Sequence, residues 1–295
     1  MSEIVYLNGQ YIRQSNAAIN VMDRGFLFAD AVYEVVACIH GHIADETAHL
    51  DRLERSLNEL NMILPIERQT LQFLMREVLR RNKRTNAAIY IQISRGVASK
   101  RDFKFPENAK PTLFIMAPYF DFDQNAGVLN GFKVKTVHDI RWKRRDIKSV
   151  LLLPQSMAKQ DAVENNFDDA WMIDEAGYIT EASAANAYIV KNNTIITRPV
   201  SCDILKGTTR NAIEKLCHES NMVFEERVFK LNEAYEADEA FCTGATTQVT
   251  GVVQINQTKI GSGQIGSVTK YLFDEYRAYV EGLRGAQISW EAGLK

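Results

Sequence analysis

The sequence predicts a two-domain α+β protein. At 295 residues the chain exceeds what one hydrophobic core usually serves. Strand-like and helix-like segments follow one another without a repeating strand–helix–strand rhythm. A polar, turn-forming stretch, Asp121-Phe122-Asp123-Gln124-Asn125-Ala126-Gly127, reads as a linker over 121–128. It separates a small α/β domain of residues 1–120 from a larger domain of residues 129–295.

The first domain opens on a hairpin. Ile4-Val5-Tyr6-Leu7 and Gln10-Tyr11-Ile12 flank Asn8-Gly9, a pair suited to the positive φ angles of a tight two-residue turn. Val32 to Ile39 is rich in β-branched residues and precedes a second turn at His40-Gly41. From Glu46, Leu50, Leu53, Leu57, Leu60 and Met62 recur at mostly helical spacing, with Arg52, Glu54 and Arg55 on the other faces. A second helix is expected over 69–82, then strands over 87–94 and 112–118. The second domain is expected to hold strands at 131–137, 169–174, 186–190, 194–197, 239–243 and 252–256. Its helices are expected at 208–220, 230–236 and 264–282. From about Arg284 the pattern fades, and the tail is expected to fray.

Composition narrows the function. Apolar residues make up 46%, charged residues 24%, and the formal net charge is −2. That balance offers no electrostatic footprint for nucleic acid or an anionic membrane. No apolar run approaches the roughly 20 residues that span a bilayer, and no basic region followed by an apolar block opens the chain. The scattered Cys38, Cys202, Cys217 and Cys242 form no CxxC pair, so buried free thiols in a reducing cytoplasm are expected. His40 and His42 are explained by a turn, and no metal site is expected.

Three segments gather small residues and polar groups. Leu205-Lys206-Gly207-Thr208-Thr209-Arg210 precedes an amphipathic helix. It suits a phosphate at a helix N-terminus, although capping of that helix by Thr208 or Thr209 accounts for it more simply. Cys242-Thr243-Gly244-Ala245-Thr246-Thr247 lets a ligand approach the backbone closely or makes a tight structural turn. Glu181 lies in Thr180-Glu181-Ala182-Ser183-Ala184-Ala185-Asn186, a carboxylate with room for a ligand cation or simply a solvated hairpin residue. Lys148 ends the basic run Arg141-Trp142-Lys143-Arg144-Arg145-Asp146-Ile147-Lys148, which reads as a solvated face. An apolar run, Val150 to Pro154, begins just after it, so Lys148 is the basic residue nearest the interior, where a nucleophilic amine is favoured.

In order, these segments resemble the D-amino-acid and branched-chain aminotransferase superfamily, the pyridoxal-phosphate enzymes of fold type IV. The likeness runs from Leu7-Asn8-Gly9 through the Asp23–Glu34 segment, His49-Leu50-Asp51-Arg52-Leu53, Arg95-Gly96 and Asp146-Ile147-Lys148-Ser149. It continues through Thr180-Glu181-Ala182, Leu205–Arg210 and Thr243-Gly244-Ala245-Thr246. The resemblance implies a barrel-like C-terminal domain, a cofactor between the domains, a homodimer, and an amine transfer between an amino donor and a 2-oxo acid. It implies that Lys148 forms the Schiff base with pyridoxal 5′-phosphate and moves the proton, and that Glu181 pairs with the pyridinium nitrogen. Arg52 would bind the phosphate, with Thr208, Thr209, Ala245 and Thr246 completing its cradle.

Asp30-Ala31-Val32-Tyr33-Glu34-Val35-Val36 looks like the D-amino-acid branch, and Phe167 stands where branched-chain enzymes carry a tyrosine. In that branch a tyrosine, matching Tyr33, joins an Arg-x-His pair in trapping the substrate carboxylate. This chain reads Ser99-Lys100-Arg101-Asp102-Phe103-Lys104-Phe105-Pro106, one residue longer than the family's pattern. Aligned from Phe105-Pro106, Arg101 is kept and Phe103 replaces the histidine. Aligned from Arg95-Gly96, Lys100 and Asp102 take those places. The expected reaction is transamination of a D-amino acid of the alanine or glutamate type. The alternatives are an (R)-selective amine aminotransferase, a branched-chain aminotransferase and a lyase resembling aminodeoxychorismate lyase.

Overall fold

A computed structural model describes residues 3–124 and 130–282. Residues 125–128 of the expected linker and the tail from Arg284 lie outside the described residues. The chain divides into two compact units. The first runs to Phe122 and takes in Ile147–Leu151; the second comprises Asp123–Asp146 and the chain from Leu152. The expected second domain, continuous from residue 129, is therefore interrupted by five residues packed in the first unit. Lys148 is one of them.

The first unit is an antiparallel sheet ordered β2-β1-β6-β5-β3-β4. Its strands are β1 (Ile4–Leu7), β2 (Gln10–Arg13), β3 (Ala31–Ile39), β4 (His42–Ile43), β5 (Ala87–Ser94) and β6 (Thr112–Met116). Asn8 and Gly9, with φ of 47° and 94°, form the turn between β1 and β2, as the Asn-Gly pair requires. Burial alternates along β5. Ile89, Ile91 and Ile93 are inaccessible to solvent, whereas Ala88, Tyr90 and Gln92 are half-buried, the period of a sheet with one face on a core. The helix Glu46–Glu59 packs on β3, and the helix Arg68–Asn82 packs on β1 and β6. The former buries Leu50, Leu53 and Leu57, the spacing seen in the sequence. The other face of the sheet carries Tyr33 opposite Gln92, and Gln92 opposite Phe114.

The second unit is a mixed sheet ordered β12-β11-β10-β13-β14-β7-β8-β9, with β15 paired to β14. Its strands are β7 (Phe132–His138), β8 (Asp169–Ile173), β9 (Ile179–Ala182), β10 (Asn186–Lys191), β11 (Thr194–Thr197), β12 (Val223–Glu226), β13 (Glu239–Gly244), β14 (Gln248–Ile255) and β15 (Thr258–Lys259). The sheet curls into a half-barrel, because β9 comes back beside β10, where the Ala182 N–H donates to the Ala185 carbonyl at 2.8 Å. Its core gathers Trp171, Ile189, Ile196, Phe229 and Val252. The Trp171 indole donates to Cys242 Sγ at 3.1 Å. Cys38, Cys217 and Cys242 are buried and in no disulfide among the described residues, but Cys202 is exposed, against the expectation for it.

The helix Leu153–Glu164 has no counterpart in the sequence reading. The residues it buries are Ala158 and Ala162, too small to make an apolar stripe, while Leu153, Met157 and Val163 face solvent. Ala162 packs with Ala158 and Ala170 beneath Val137 and Phe167. Close packing there leaves no room for a larger side chain. Ala162→Leu is expected to cost about 1–3 kcal/mol, read as a lower thermal midpoint in calorimetry.

Candidate active site

In the first unit Lys148 is held by its backbone. The Tyr33 N–H donates to the Lys148 carbonyl at 3.0 Å, and the Val150 N–H to the Ala31 carbonyl at 3.1 Å. Val32 and Ser149 form an antiparallel bridge. On the other side, the Lys148 N–H donates to Ser56 Oγ at 3.3 Å. Lys148 is thus pinned between β3 and the Glu46–Glu59 helix, and its ammonium lies 4.4 Å from the centre of the Tyr33 ring. Among the described residues no carboxylate pairs with that ammonium. Tyr33 stacks on Tyr90 at 5.6 Å. Burial, and then the neighbouring Tyr33, push the Tyr90 hydroxyl up to about 12, and it donates to Gln92 Oε1 at 2.7 Å.

Arg52 sits on the same helix, one turn before Ser56. Its Nε and NH2 donate to the two oxygens of Glu34 at 2.7 and 2.8 Å, the fork geometry that fixes a guanidinium plane. Glu34 is inaccessible to solvent and also meets His49 Nδ1 at 2.7 Å. Burial alone would push its carboxyl up. The Arg52 guanidinium, aided by His49, overrides that and holds it well below the usual carboxylate range.

The loop of Arg101 and Phe103 projects from this unit. Arg24, paired with Asp30 at 2.7 Å, donates from NH1 to the Asp102 carbonyl at 2.6 Å. Arg95, on the same carboxylate, lies 3.7 Å from the Phe105 ring centre. Phe103 leans on Phe28 at 5.6 Å, and the Arg101 guanidinium lies 5.0 Å from the Phe28 ring centre. Phe103 is 80% exposed. Within the described residues no ion pair or ring contact joins Arg101 or Phe103 to Tyr33.

The second unit does collect its candidates. Glu181, on β9 and 4% exposed, is buried rather than a solvated hairpin residue. Its Oε1 accepts from the Leu205 N–H at 2.8 Å and from Arg141 NH1 at 3.1 Å, while among the described residues Oε2 has only a longer contact of 3.3 Å to Leu205 N. Burial pushes the Glu181 carboxyl up, and Arg141 opposes this. The Leu205 carbonyl accepts from Asn186 Nδ2 at 2.9 Å, and Asn186 faces Thr243 across the β10–β13 ladder. Ala245 and Thr246 form the half-buried turn from β13 into β14.

Thr208 and Thr209 begin the helix Thr208–Glu219 and are almost wholly buried. Neither caps it. The N-cap is Gly207, which has no side chain to meet the first-turn N–H groups. A Cβ on Gly207 would fall 2.2 Å from Asn186 Oδ1, so a larger residue there forces the Asn186 side chain to shift.

Arg141 does not stand out in the sequence. The basic run containing it reads as solvated, yet Arg141 is 9% exposed. The only hint is the alternation Asp139-Ile140-Arg141 beyond β7, in which the isoleucine is exposed and the charges are buried.

The family model for class IV aminotransferases matches residues 31–255. The chain belongs to that family, a group of pyridoxal 5′-phosphate-dependent enzymes. The D-alanine aminotransferase of Staphylococcus haemolyticus is 36% identical over 279 residues, covering 94% of this chain and 98% of the relative. That of Bacillus licheniformis is 35% identical over 267 residues, covering 90% and 93%. Among solved structures, the branched-chain aminotransferase of T.th. complexed with N-(5′-phosphopyridoxyl)-L-glutamate superposes with a TM-score of 0.87 at 24% identity, covering 96% of each chain. The Escherichia coli branched-chain enzyme gives 0.84 at 23%, covering 98% of this chain and 97% of its own. At these identities the structural likeness is one of fold.

Two substitutions test the geometry. Gly207→Ala is expected to cost about 1–3 kcal/mol through its clash with Asn186, and to weaken pyridoxal-phosphate binding in fluorescence titration. Glu34→Gln strands Arg52 in the interior and is expected to cost about 3–5 kcal/mol at neutral pH. Because the folded Glu34 carboxyl lies below its unfolded value, its stabilisation is full above that value, about 4.3. It is lost as the pH falls from there toward the folded one. Denaturant melts from pH 7 to 3 should show a steeper acid loss in the parent than in Glu34→Gln.

Proposed function

We propose that this chain transfers an amino group between a D-amino acid of the alanine or glutamate type and a 2-oxo acid, with Lys148 as the catalytic residue. The observation that carries the reading is the Lys148 amine, fixed by its backbone over Tyr33 and paired to no carboxylate among the described residues. A lysine serving only solubility has no need of such confinement.

The residues present fit pyridoxal 5′-phosphate group by group. Glu181 offers a buried carboxylate with one oxygen doubly occupied and the other weakly engaged, as a ring N–H requires. The Thr208–Glu219 helix has Gly207 as its N-cap, with no side-chain cap bond from it, and a Cβ there would displace the Asn186 side chain, which suits a phosphate cradle. When bound, the cofactor supplies an electrophilic carbonyl and an electron-accepting ring. Lys148 would hold it through its amine and would carry a proton there. Arg52, held flat by Glu34, is a residue that would hold the phosphate, and Thr208, Thr209, Ala245 and Thr246 are the others proposed for that role. Tyr33 faces the substrate, and Arg101 with Phe103 set which carboxylate or side chain is accepted. Two copies assemble as a homodimer in the cytoplasm, which gives the Arg101 loop a neighbouring chain to serve.

A donor panel tests the reading: D-alanine, D-glutamate, L-leucine and (R)-1-phenylethylamine, each paired with pyruvate and 2-oxoglutarate. Spectral conversion of the bound cofactor is the readout. D-alanine or D-glutamate should convert it, and Lys148→Ala should lose turnover by about 10⁴-fold or more. Conversion by L-leucine alone sinks the D-amino-acid assignment, and fastest conversion by (R)-1-phenylethylamine moves it to amines without a carboxylate.

A further inference from the structure

Glu181 does not stand alone. Arg141 donates from NH1 to Glu181 Oε1 at 3.1 Å. The rest of its guanidinium is held from behind by Asp139, through Nε at 3.0 Å and NH2 at 2.7 Å. Asp139 is inaccessible to solvent and also accepts from Thr180 Oγ1 at 2.7 Å. Thr180 is anchored to the Met172 carbonyl at 3.1 Å. Arg145 lies 3.5 Å from Asp139 and 3.4 Å from Asp203, completing the charged groups around the pair. This costs three buried charges, an arrangement that packing alone does not favour.

We propose that Arg141, clamped by Asp139, is the positioning residue for Glu181. It occupies Oε1 together with the Leu205 N–H, opposes the upward push of burial on the carboxyl, and leaves Oε2 as the acceptor for the cofactor's ring N–H. The inference rests on the pyridoxal-phosphate reading above and adds a residue outside the set expected from the sequence. Two donors fill the lone pairs of Oε1, so a third donor is directed to Oε2. Burial opposes charge on Glu181, and Arg141 is its one cationic partner among the described residues. Without it burial acts on the carboxyl with no cation among the described residues to oppose it, and the neutral form that burial favours is a poor partner for a ring cation. The fork from Asp139 matters because a freely turning guanidinium would not keep NH1 on Oε1.

The test compares Arg141→Met, Arg141→Lys, Asp139→Asn/Arg141→Met and Glu181→Gln with the parent holoenzyme. The readouts are the dissociation constant for pyridoxal 5′-phosphate and the absorption spectrum of the bound cofactor across pH. Arg141→Met is expected to weaken binding about 10- to 100-fold and to reproduce the altered spectrum of Glu181→Gln. Arg141→Lys should recover part of both, since it restores charge without the fork. Added to Glu181→Gln, Arg141→Met should cost much less than the product of the two effects. If Arg141→Met does not fold because Asp139 is left unpaired, the double variant, which removes that charge too, decides in the same way. A parent-like affinity and spectrum in the folded Arg141 variants, beside a changed Glu181→Gln, overturns the inference and leaves the proposed function standing. A lower melting temperature with an unmoved spectrum likewise overturns it, as a structural role. An unchanged Glu181→Gln overturns the placing of Glu181 at the ring nitrogen, and the inference falls with it.

Discussion

Glu34 and Glu181 are carboxylates taken almost wholly out of water, and each meets an arginine there: Arg52 for the first, Arg141 for the second. A lone buried charge costs several kcal/mol, so neither glutamate tolerates much freedom in its surroundings. The strand that carries each one must hold its register, and the arginine must hold its rotamer. These constraints place a guanidinium beside β3 in one unit and an oriented carboxylate on β9 in the other. The two pairs differ in balance. Arg52 outweighs burial at Glu34 and keeps it strongly acidic, whereas burial prevails at Glu181 even with Arg141 in contact. The first carboxylate orients its arginine, and the second has one oxygen doubly engaged and the other held by a longer contact.

The backbone does comparable work at Lys148. Five residues, Ile147–Leu151, join the first unit although the chain on either side belongs to the second. They are tied to β3 by the Tyr33 and Val150 N–H groups and to a helix through Ser56. Fixing the main chain on two sides restricts where the ammonium can go, and Tyr33 supplies the surface it rests on. Positioning of this kind is what proton transfer at a defined atom demands. The loop of Arg101 contrasts with it. Arg24 and Arg95 grip its backbone and Phe105, but Arg101 and Phe103 themselves remain on the surface.

Much of this is legible in the residues. Asn8-Gly9 dictates a hairpin, the leucines from Leu50 dictate an amphipathic helix, and alternation marks β5, because side-chain periodicity is a local property. The helix Leu153–Glu164 is not legible, since alanines bury too little to mark a face. The acidic and threonine-bearing candidates stand out through their small neighbours, and the order of the motifs ties them to one cofactor chemistry. Segment by segment, however, the residues favour a helix cap at Thr208 or Thr209 and a solvated Glu181. Burial and the Gly207 N-cap reverse both, and neither can be counted from a string of letters.

By itself the sequence determined the strands with clear alternation, the helices with large apolar residues, the family and the candidate lysine. These depend on residue type, spacing and motif order along the chain. Only the tertiary structure decided which charges are buried and with whom. Asp139 and Glu181 are forty-two residues apart, yet both reach Arg141, and Glu34 reaches Arg52 from a different element. Ionisation, orientation and cost of a charged group follow from the groups that replace its water, and the fold alone sets those.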